Sequence, residues 1–294
     1  LIMNHKNKIL TIFGIHTVNR QKVSATLNNI EYCYSHSDKI VCVDSIGCEQ
    51  LALEEKVQSK YNDIEFYYIN NDEKLLDLKK WIYALKKIDD IESYEYIILI
   101  NDSICITRPI DDYFEILNNF DVELIGMIDS YEQKYHIQSF LRAFNKKGIK
   151  KFIEYYNKYN KSIKEVNALI PIFEINITKI FSSIKSLYSV KKTLNKSNFL
   201  QKRILKLKYY LKFRYLKKDE NFFIFSKKIG NLHFNDLYYK YYLYKLEYPI
   251  IKLRKINTFS YEKIPKQLPS DFDVNEYKEM FWDLKHFNEE QLVK

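Results

Sequence analysis

Glycine and proline number only 5 each in a chain of 294 residues, and Met and Trp are scarcer still. So few turn-forming residues argue against a loop-rich β-sandwich and against a collagen-like chain. The glycine-dependent phosphate cradles are missing as well. There is no GxGxxG and no Walker A pattern, and Gly14 and Gly47 stand as isolated glycines. HExxH and GxSxG are also absent, which removes the zinc-protease signature and the usual serine-hydrolase elbow. The four cysteines, Cys33, Cys42, Cys48 and Cys105, show neither a CxxC pair nor metal-ligand spacing. Cys42 and Cys105 lie in apolar runs, so small buried hydrophobes in a reducing compartment are expected rather than a disulfide framework. No apolar run approaches the ~18–20 residues that a membrane-spanning helix needs. Lys6 and Lys8 lead straight into a strand-like segment where a signal peptide would carry its apolar stretch. The chain therefore reads as soluble and intracellular.

What is present is apolar bulk and positive charge. With 46% hydrophobic and 16% aromatic residues, the chain can bury a sizeable core. The net charge of +9 favours anionic partners without choosing among nucleic acid, nucleotide diphosphates and an acidic membrane surface.

The first half alternates short apolar runs with amphipathic stretches. Ile9–Ile15, Lys39–Val43 and Ile64–Ile69 read as strands, and Ile97–Ile106 reads as one buried strand carrying Asn101, Asp102 and Ser103. Gln21–Tyr34, Glu49–Tyr61 and Glu73–Ile88 read as helices, the last with Leu75, Leu76, Leu78, Trp81, Ile82 and Leu85 near one face and its lysines outside. Continuous apolar strands separated by such helices predict an α/β fold, a mainly parallel Rossmann-like sheet flanked by helices. In such sheets ligands bind at the carboxyl ends of the strands. Three strands end there in polar tips: His16 and Thr17, Asp44 and Ser45, and Asn101-Asp102-Ser103. Further on, Val122–Met127 and Ile137–Phe144 read as strands and Gly148–Tyr159 as a helix. Between Lys191 and Lys218 stand eleven Lys or Arg and no acid, interleaved with Leu, Ile, Phe and Tyr. This predicts a basic amphipathic helical region. Leu268–Lys294 is acidic and helix-prone. The expected division is a core over residues 1–190, a basic helical extension over 191–264 that completes it, and a helical module or linker over 265–294.

Several residues carry chemistry by type and place. A carboxylate at the end of a buried strand, as Asp102 is, costs desolvation unless something pairs with it. A divalent cation shared with a diphosphate is one partner, and a plain turn with Asp102 as a cap is the bland alternative. A second cluster runs from Asp129 through His136, Gln138 and Ser139, against the alternative of a surface histidine and satisfied edge residues. Glu174, an acid in the apolar stretch PIFEINIT, is a third candidate, or else a helix cap or a buried ion-pair member. Asp44 is either a ligand-contacting strand tip or a loop cap.

Three segments, NDSICITRPIDDYFEIL (Asn101–Leu117), DVELIGMIDSYEQKYHIQSFLRAFNK (Asp121–Lys146) and LEYPIIKLRKI (Leu246–Ile256), resemble the rhamnan synthesis protein F family of polysaccharide glycosyltransferases. The order and spacing of the family's NDS strand end, Gly-hydroxyl-Asp segment, His-x-Gln-Ser strand, helix-borne acid and late Pro-Ile-Ile-Lys are kept. Where the family carries Trp ahead of Gly126, this chain has Ile125. The resemblance implies a GT-A-like transferase that moves a sugar, rhamnose or another hexose or deoxyhexose, from a nucleotide-sugar donor to a hydroxyl of a surface polysaccharide, with inversion. The acceptor would be a glycan or lipid-linked glycan. It implies donor binding by Asn101, Asp102, Ser103, Asp44, Lys252 and Arg254, with Asp102 as the ligand of a divalent metal (Mn²⁺ or Mg²⁺) if one is used. Basic residues such as Lys252 or Arg254 would otherwise neutralise the leaving diphosphate. The candidate base that deprotonates the acceptor is Asp129, then Glu174, then His136. Gln138 and Ser139 are expected to bind acceptor hydroxyls.

The tail segment Phe272–Leu284 is similar to the start of a helical module found beside such transferases, and Leu1-Ile2 precede Met3. A piece of a longer, multi-domain protein is expected. The basic segment could rest on the anionic inner face of the cell membrane, with no nucleic acid expected. The competing class is a non-catalytic, transferase-like module that binds membrane, polymer or nucleic acid through that segment.

Overall fold

The computed structural model describes residues 7–130, 134–189 and 248–253. Lys191–Lys218, Leu268–Lys294 and Arg254 lie outside the described residues.

Strands β1 (Ile9–Gly14), β2 (Lys39–Ser45), β3 (Glu65–Ile69) and β4 (Tyr96–Asn101) run parallel, in the order β3-β2-β1-β4. The helices α1 (Arg20–Tyr34), α2 (Leu53–Gln58) and α3 (Asp77–Lys87) join them in turn. Beyond β4 the sheet continues through β8 (Leu141–Asn145), which is antiparallel to both neighbours, to β6 (Leu124–Ser130). β6 pairs with the two-residue strand β7 (His136–Ile137) and, in parallel, with β9 (Ile184–Tyr188). The expected mainly parallel sheet flanked by helices is the one observed.

The apolar runs are continuous because both sheet faces are covered. Along β4, Tyr96, Ile98 and Ile100 pack toward α1, α2 and α4 (Asp111–Asn119), whereas Ile97 and Leu99 pack toward α3 and α5 (Lys146–Tyr159). β1 divides its side chains in the same way. All four cysteines are buried without a disulfide, as small hydrophobes. No helix among the described residues is long and apolar enough to cross a membrane.

The structure departs from the sequence reading at places with identifiable local causes. The strand expected over Ile97–Ile106 breaks at the NDS turn. Asn101 Oδ1 accepts the Ser103 N–H at 3.1 Å and its hydroxyl at 2.6 Å, which turns the chain out of the sheet. The continuation, β5 (Ile104–Ile106), pairs instead with β10 (Ile250–Lys252) in a separate two-stranded sheet. Within the stretch expected to be a basic helical extension, residues 250–252 are thus a strand that caps the core. The segment Ile137–Phe144 is likewise two strands, with Gln138–Phe140 forming the turn between them. Ile137 lies directly over Gly126, where an added Cβ would come within 2.0 Å of its side chain. The helix expected over Glu49–Tyr61 is interrupted at Ala52, whose φ is +53°. The lysines of α3 are not all outward: Lys80 is buried.

α5 is anchored to the sheet by a polar lock. Asn145 caps it through the Gly148 N–H at 2.8 Å. The buried carboxylate of Glu123 receives Lys151 Nζ at 2.7 and 2.9 Å and the Ser182 N–H and hydroxyl, each at 2.8 Å. Burial works to raise this carboxyl's pKa, but those donors outweigh it and hold it at about 2. The folded pKa thus lies below the ordinary value of 4.5, so the lock contributes stability above that value. That contribution is lost as pH falls from 4.5 toward 2. Urea unfolding of Glu123→Gln at neutral pH is expected to show a loss of about 1–3 kcal/mol, and a smaller decline in acid than the parent shows. Equal acid sensitivity in both proteins would rule this out.

Candidate functional site

The switch in connection direction falls between β1 and β4. From β1 the chain leaves through α1 on one face, and it returns to β4 through α3 on the other. A crevice at the carboxyl ends of the two strands is the ligand position that this topology creates. Gly14 at the end of β1 permits close packing there, since an added Cβ would lie 2.8 Å from the Trp81 ring nitrogen. That nitrogen donates to the Ile100 carbonyl at 3.0 Å.

The three polar strand tips meet at this crevice. Asp102 Oδ2 accepts the His16 backbone N–H at 2.7 Å and the Lys22 ammonium at 2.8 Å. Asp102 is therefore neither a solvated turn residue nor a helix cap; it ties β4 to the loop after β1 and to the first turn of α1. Asp44 Oδ1 accepts the Thr17 N–H at 3.1 Å and the Ser45 N–H at 2.7 Å, and its other oxygen accepts the Thr17 hydroxyl. It organises the tips of β1 and β2 and does not cap α2. His16 Nδ1 lies 2.7 Å from the Ser45 hydroxyl. Burial, then the charges of Lys80 and Lys22, lowers the His16 pKa and favours the neutral ring. Lys80 reaches across to donate to the Ile15 carbonyl, and burial lowers its pKa against the pull of Asp77, Asp102 and Asp44. Burial and the neighbouring Asp102 push the half-buried Asp77 carboxyl upward. On the other side of the turn, Lys252 Nζ lies 3.2 Å from Ser103 Oγ and 4.5 Å from the centre of the Phe140 ring.

A second group lies along the same edge, at the end of β6 and the start of β8. Burial lowers the pKa of His136, so its neutral ring donates from Nδ1 to the Lys134 carbonyl at 2.8 Å. Its Nε2 then faces Gln138 Nε2 at 3.3 Å and Glu174 Oε1 at 3.7 Å. Glu174 Oε2 accepts the Ser139 hydroxyl at 2.7 Å. Glu174 sits inside the π-helical turn Ile170–Asn176 and not at a helix N-terminus. Asp129 is buried at the end of β6, 3.4 Å from the Ser186 hydroxyl, and its charge acts on His136. His136 is buried as well, which removes the surface-histidine reading. A cavity lined by Asp77, Asn101, Arg142, Ser139 and Glu174, among others, touches one residue of the first group and two of the second; Asp102, Asp129 and His136 are not in its lining.

Lys22, Asp77, Lys80 and Arg142 belong to this arrangement and were not singled out from sequence. Arg142 holds the second group in place. Its buried guanidinium donates to the carbonyls of Ile137 (2.6 Å), Phe173 (3.0 Å), Gln138 (3.2 Å) and Glu174 (3.4 Å). Burial lowers its pKa to about 10. Only the alternation of a small strand would have marked Arg142 as inward-facing.

A divalent cation prefers several anionic oxygens. The NDS turn offers one carboxylate, and an ammonium already lies against it; Asn101 Oδ1 is turned back onto Ser103. These residues do not fit such an ion. His16, Asp44 and Cys48 do bring one ligand atom each within 4.8 Å of one another, a nitrogen, oxygen and sulfur set of the kind zinc accepts. The Asp44 oxygens are already engaged, however, and burial holds the Cys48 thiol up at about 11.

No family model and no curated protein matches the sequence. Among solved structures with a similar chain path are several glycosyltransferases. They include a galactosyltransferase, LgtC, in complex with donor and acceptor sugar analogues (12% identity over 60% of this chain and 72% of that one, TM-score 0.40). Another is a glycosyltransferase involved in glycosylation of the major capsid of PBCV-1 (12% identity, 62% and 82%, TM-score 0.38). A third is the glycosyltransferase GlyE of Streptococcus pneumoniae TIGR4 (12% identity, 98% and 64%, TM-score 0.45). At this distance the likeness is one of chain path, and no residue role is transferred from it.

Arg142→Met removes the guanidinium from four carbonyls, only that of Glu174 keeping a side-chain hydroxyl, from Thr178, and is expected to lower stability by about 3 kcal/mol or more. Chemical denaturation measures this, and a loss below about 1 kcal/mol would show that water replaces the guanidinium.

Proposed function

We propose that the protein is a GT-A-like glycosyltransferase that moves a hexosyl or deoxyhexosyl group from a nucleotide-sugar donor to a glycan hydroxyl. One observation carries the reading: at the switch point of the sheet, Lys22 and Lys252 meet the Asn101–Ser103 turn, and Asn101 of that turn lines one cavity with Ser139 and Glu174. Cations beside a turn suit a donor diphosphate, and carboxylates with hydroxyl and amide groups suit an acceptor sugar. The motif order from Asn101 to Lys252 that resembles the rhamnan synthesis protein F family supports the same reading, as does the general α/β architecture.

In the proposed reaction the diphosphate lies on the Asn101–Ser103 turn, and the acceptor hydroxyl approaches from the side of Ser139. The acceptor oxygen bonds to the anomeric carbon, and the bond from that carbon to the diphosphate oxygen breaks. The electron pair leaves with the diphosphate, and the hydroxyl proton passes to a carboxylate. Among the sequence candidates Glu174 is the preferred base. It lines the cavity and keeps partial exposure, its side chain being 19% accessible, whereas Asp129 is almost fully buried on β6. Asp129 and His136 then set the charge around Glu174, and Gln138 and Ser139 orient sugar hydroxyls. Inversion, a rhamnose-like donor sugar, a lipid-linked acceptor at the inner membrane face and further domains in a longer chain follow from the family resemblance.

A thermal-shift series with UDP, GDP, dTDP and CMP is expected to show stabilisation by at least one nucleotide. No shift with any of them would remove the reading. With the donor so identified, Glu174→Gln is expected to reduce turnover by roughly 10²–10⁴-fold while leaving nucleotide stabilisation intact. Asp129→Asn is expected to retain more activity; the opposite ranking would make Asp129 the base.

A further inference from the structure

The cavity beside the NDS turn is small, and its lining is of two kinds. Its volume is about 60 Å³, less than half of the ~150 Å³ that takes a benzene-sized ring. It therefore admits a substituent and not a sugar ring. Much of the lining is apolar, with Leu78 and Trp81 from α3, Phe152 from α5, and Phe173. The Trp81 ring nitrogen already donates to the Ile100 carbonyl, so that ring offers its apolar surface. Ile170, 54% exposed, marks the mouth. The polar lining is mostly engaged internally. Asn101 turns Oδ1 onto Ser103 and its amide onto Asp77, and Ser139 donates to Glu174. Arg142 gives four N–H groups to carbonyls and has one more, on Nη1. What the lining offers a ligand is thus the Asp77 and Glu174 carboxyls, one guanidinium N–H and an apolar wall. The charges here balance. Asp77, Asp102 and Glu174 stand against Lys22, Lys80 and Arg142, which favours a neutral group over a phosphate or an ammonium. Asp77 is held in place at some cost, since Leu76 just before it has a φ of +46°.

A hydroxymethyl group would leave the apolar wall uncovered, and the methyl of a 6-deoxyhexose would bring no donor to Asp77. An acetamido group carries all three complements: a methyl for the wall, an N–H for a carboxyl and a carbonyl for the guanidinium. We infer that this cavity receives the acetamido group of the transferred sugar, with Asp77 accepting its N–H, so that the donor is a nucleotide-activated N-acetylhexosamine. The inference rests on the nucleotide-sugar reading above and puts an N-acetylated sugar in place of the rhamnose-like one that the family resemblance implies. In that reading the transferred sugar lies between the diphosphate on the turn and the base Glu174, and the cavity is lined from both sides of that gap. Asp77 accepts the N–H in either protonation state, because a neutral carboxyl keeps a carbonyl oxygen. Glu174 stays available to the acceptor hydroxyl.

The test compares, by calorimetry on the full chain, donors that share whichever of UDP, GDP and dTDP the chain binds. The N-acetylglucosamine or N-acetylgalactosamine conjugate is expected to bind about tenfold or more tighter than the glucose, galactose and rhamnose conjugates. Asp77→Ala is expected to abolish that preference, and Asp77→Asn, which retains an oxygen acceptor, to keep most of it. Ile170→Trp, placed at the exposed mouth to close the cavity, is expected to abolish it as well. Binding of the nucleoside diphosphate alone shows that each variant is folded. Equal or tighter binding of the conjugates without an acetamido group would overturn the inference and leave the transferase reading standing. A parent-like preference in Asp77→Ala or in Ile170→Trp would also overturn it. Absence of binding by every nucleoside diphosphate and every conjugate would overturn both.

Discussion

The rest of the structure depends on one constraint: the central strands are buried on both faces. β1 and β4 have no solvated side on which to place a polar group, because α1, α2 and α4 cover one face and α3 and α5 the other. Apart from Thr11, whose hydroxyl pairs with that of Ser37, the polar side chains of the candidate site therefore lie at the strand tips, where they must find one another or leave buried groups unpaired. Asp44 and Asp102 solve this by taking N–H and hydroxyl donors from the loop after β1, and Asp102 adds the ammonium of Lys22. What binds the tips together also assembles the candidate site, so its polarity is a consequence of the core and not an addition to it.

The antiparallel half of the sheet solves a different problem. β8 runs between two strands of opposite direction, and the chain must turn sharply from β7 to enter it. Arg142 makes that turn stable by spreading one guanidinium over four carbonyls, two from the turn region and two from the π-helical segment. A planar five-donor group suits this task as an ammonium would not. Because Arg142 joins the turn to Glu174, it also fixes the distance between Glu174 and Ser139. Structural satisfaction and site geometry are again one set of contacts.

Much of the α/β pattern could be read from the chain. The runs ILTIFGI, KIVCV and YIILI are apolar apart from Thr11 and Lys39, as two-sided burial requires, and they became β1, β2 and β4. The stretch Glu73–Ile88 carries the apolar spacing of a packed helix and became α3, starting at Asp77. Local exceptions followed from interactions that span the sequence. The break after Asn101 depends on a side chain folding back onto Ser103 and on a strand about 150 positions away. The burial of Lys80, against the expectation of an outward lysine, depends on a carbonyl just after β1 and on three carboxylates, two of them from other elements.

The sequence by itself determined the places of the parallel strands, the two-sided burial of the central ones and the polar residues at their ends, since periodicity and apolar content are local properties of the chain. It also marked Asp102, Asp129, His136, Ser139 and Glu174 as residues worth placing. Only the tertiary structure decided which of them line one cavity, and that Asp102 is held by Lys22, where the sequence left a metal or a basic residue open. Partnership between groups eighty residues apart is set by the path of the sheet, and no spacing along the chain encodes it.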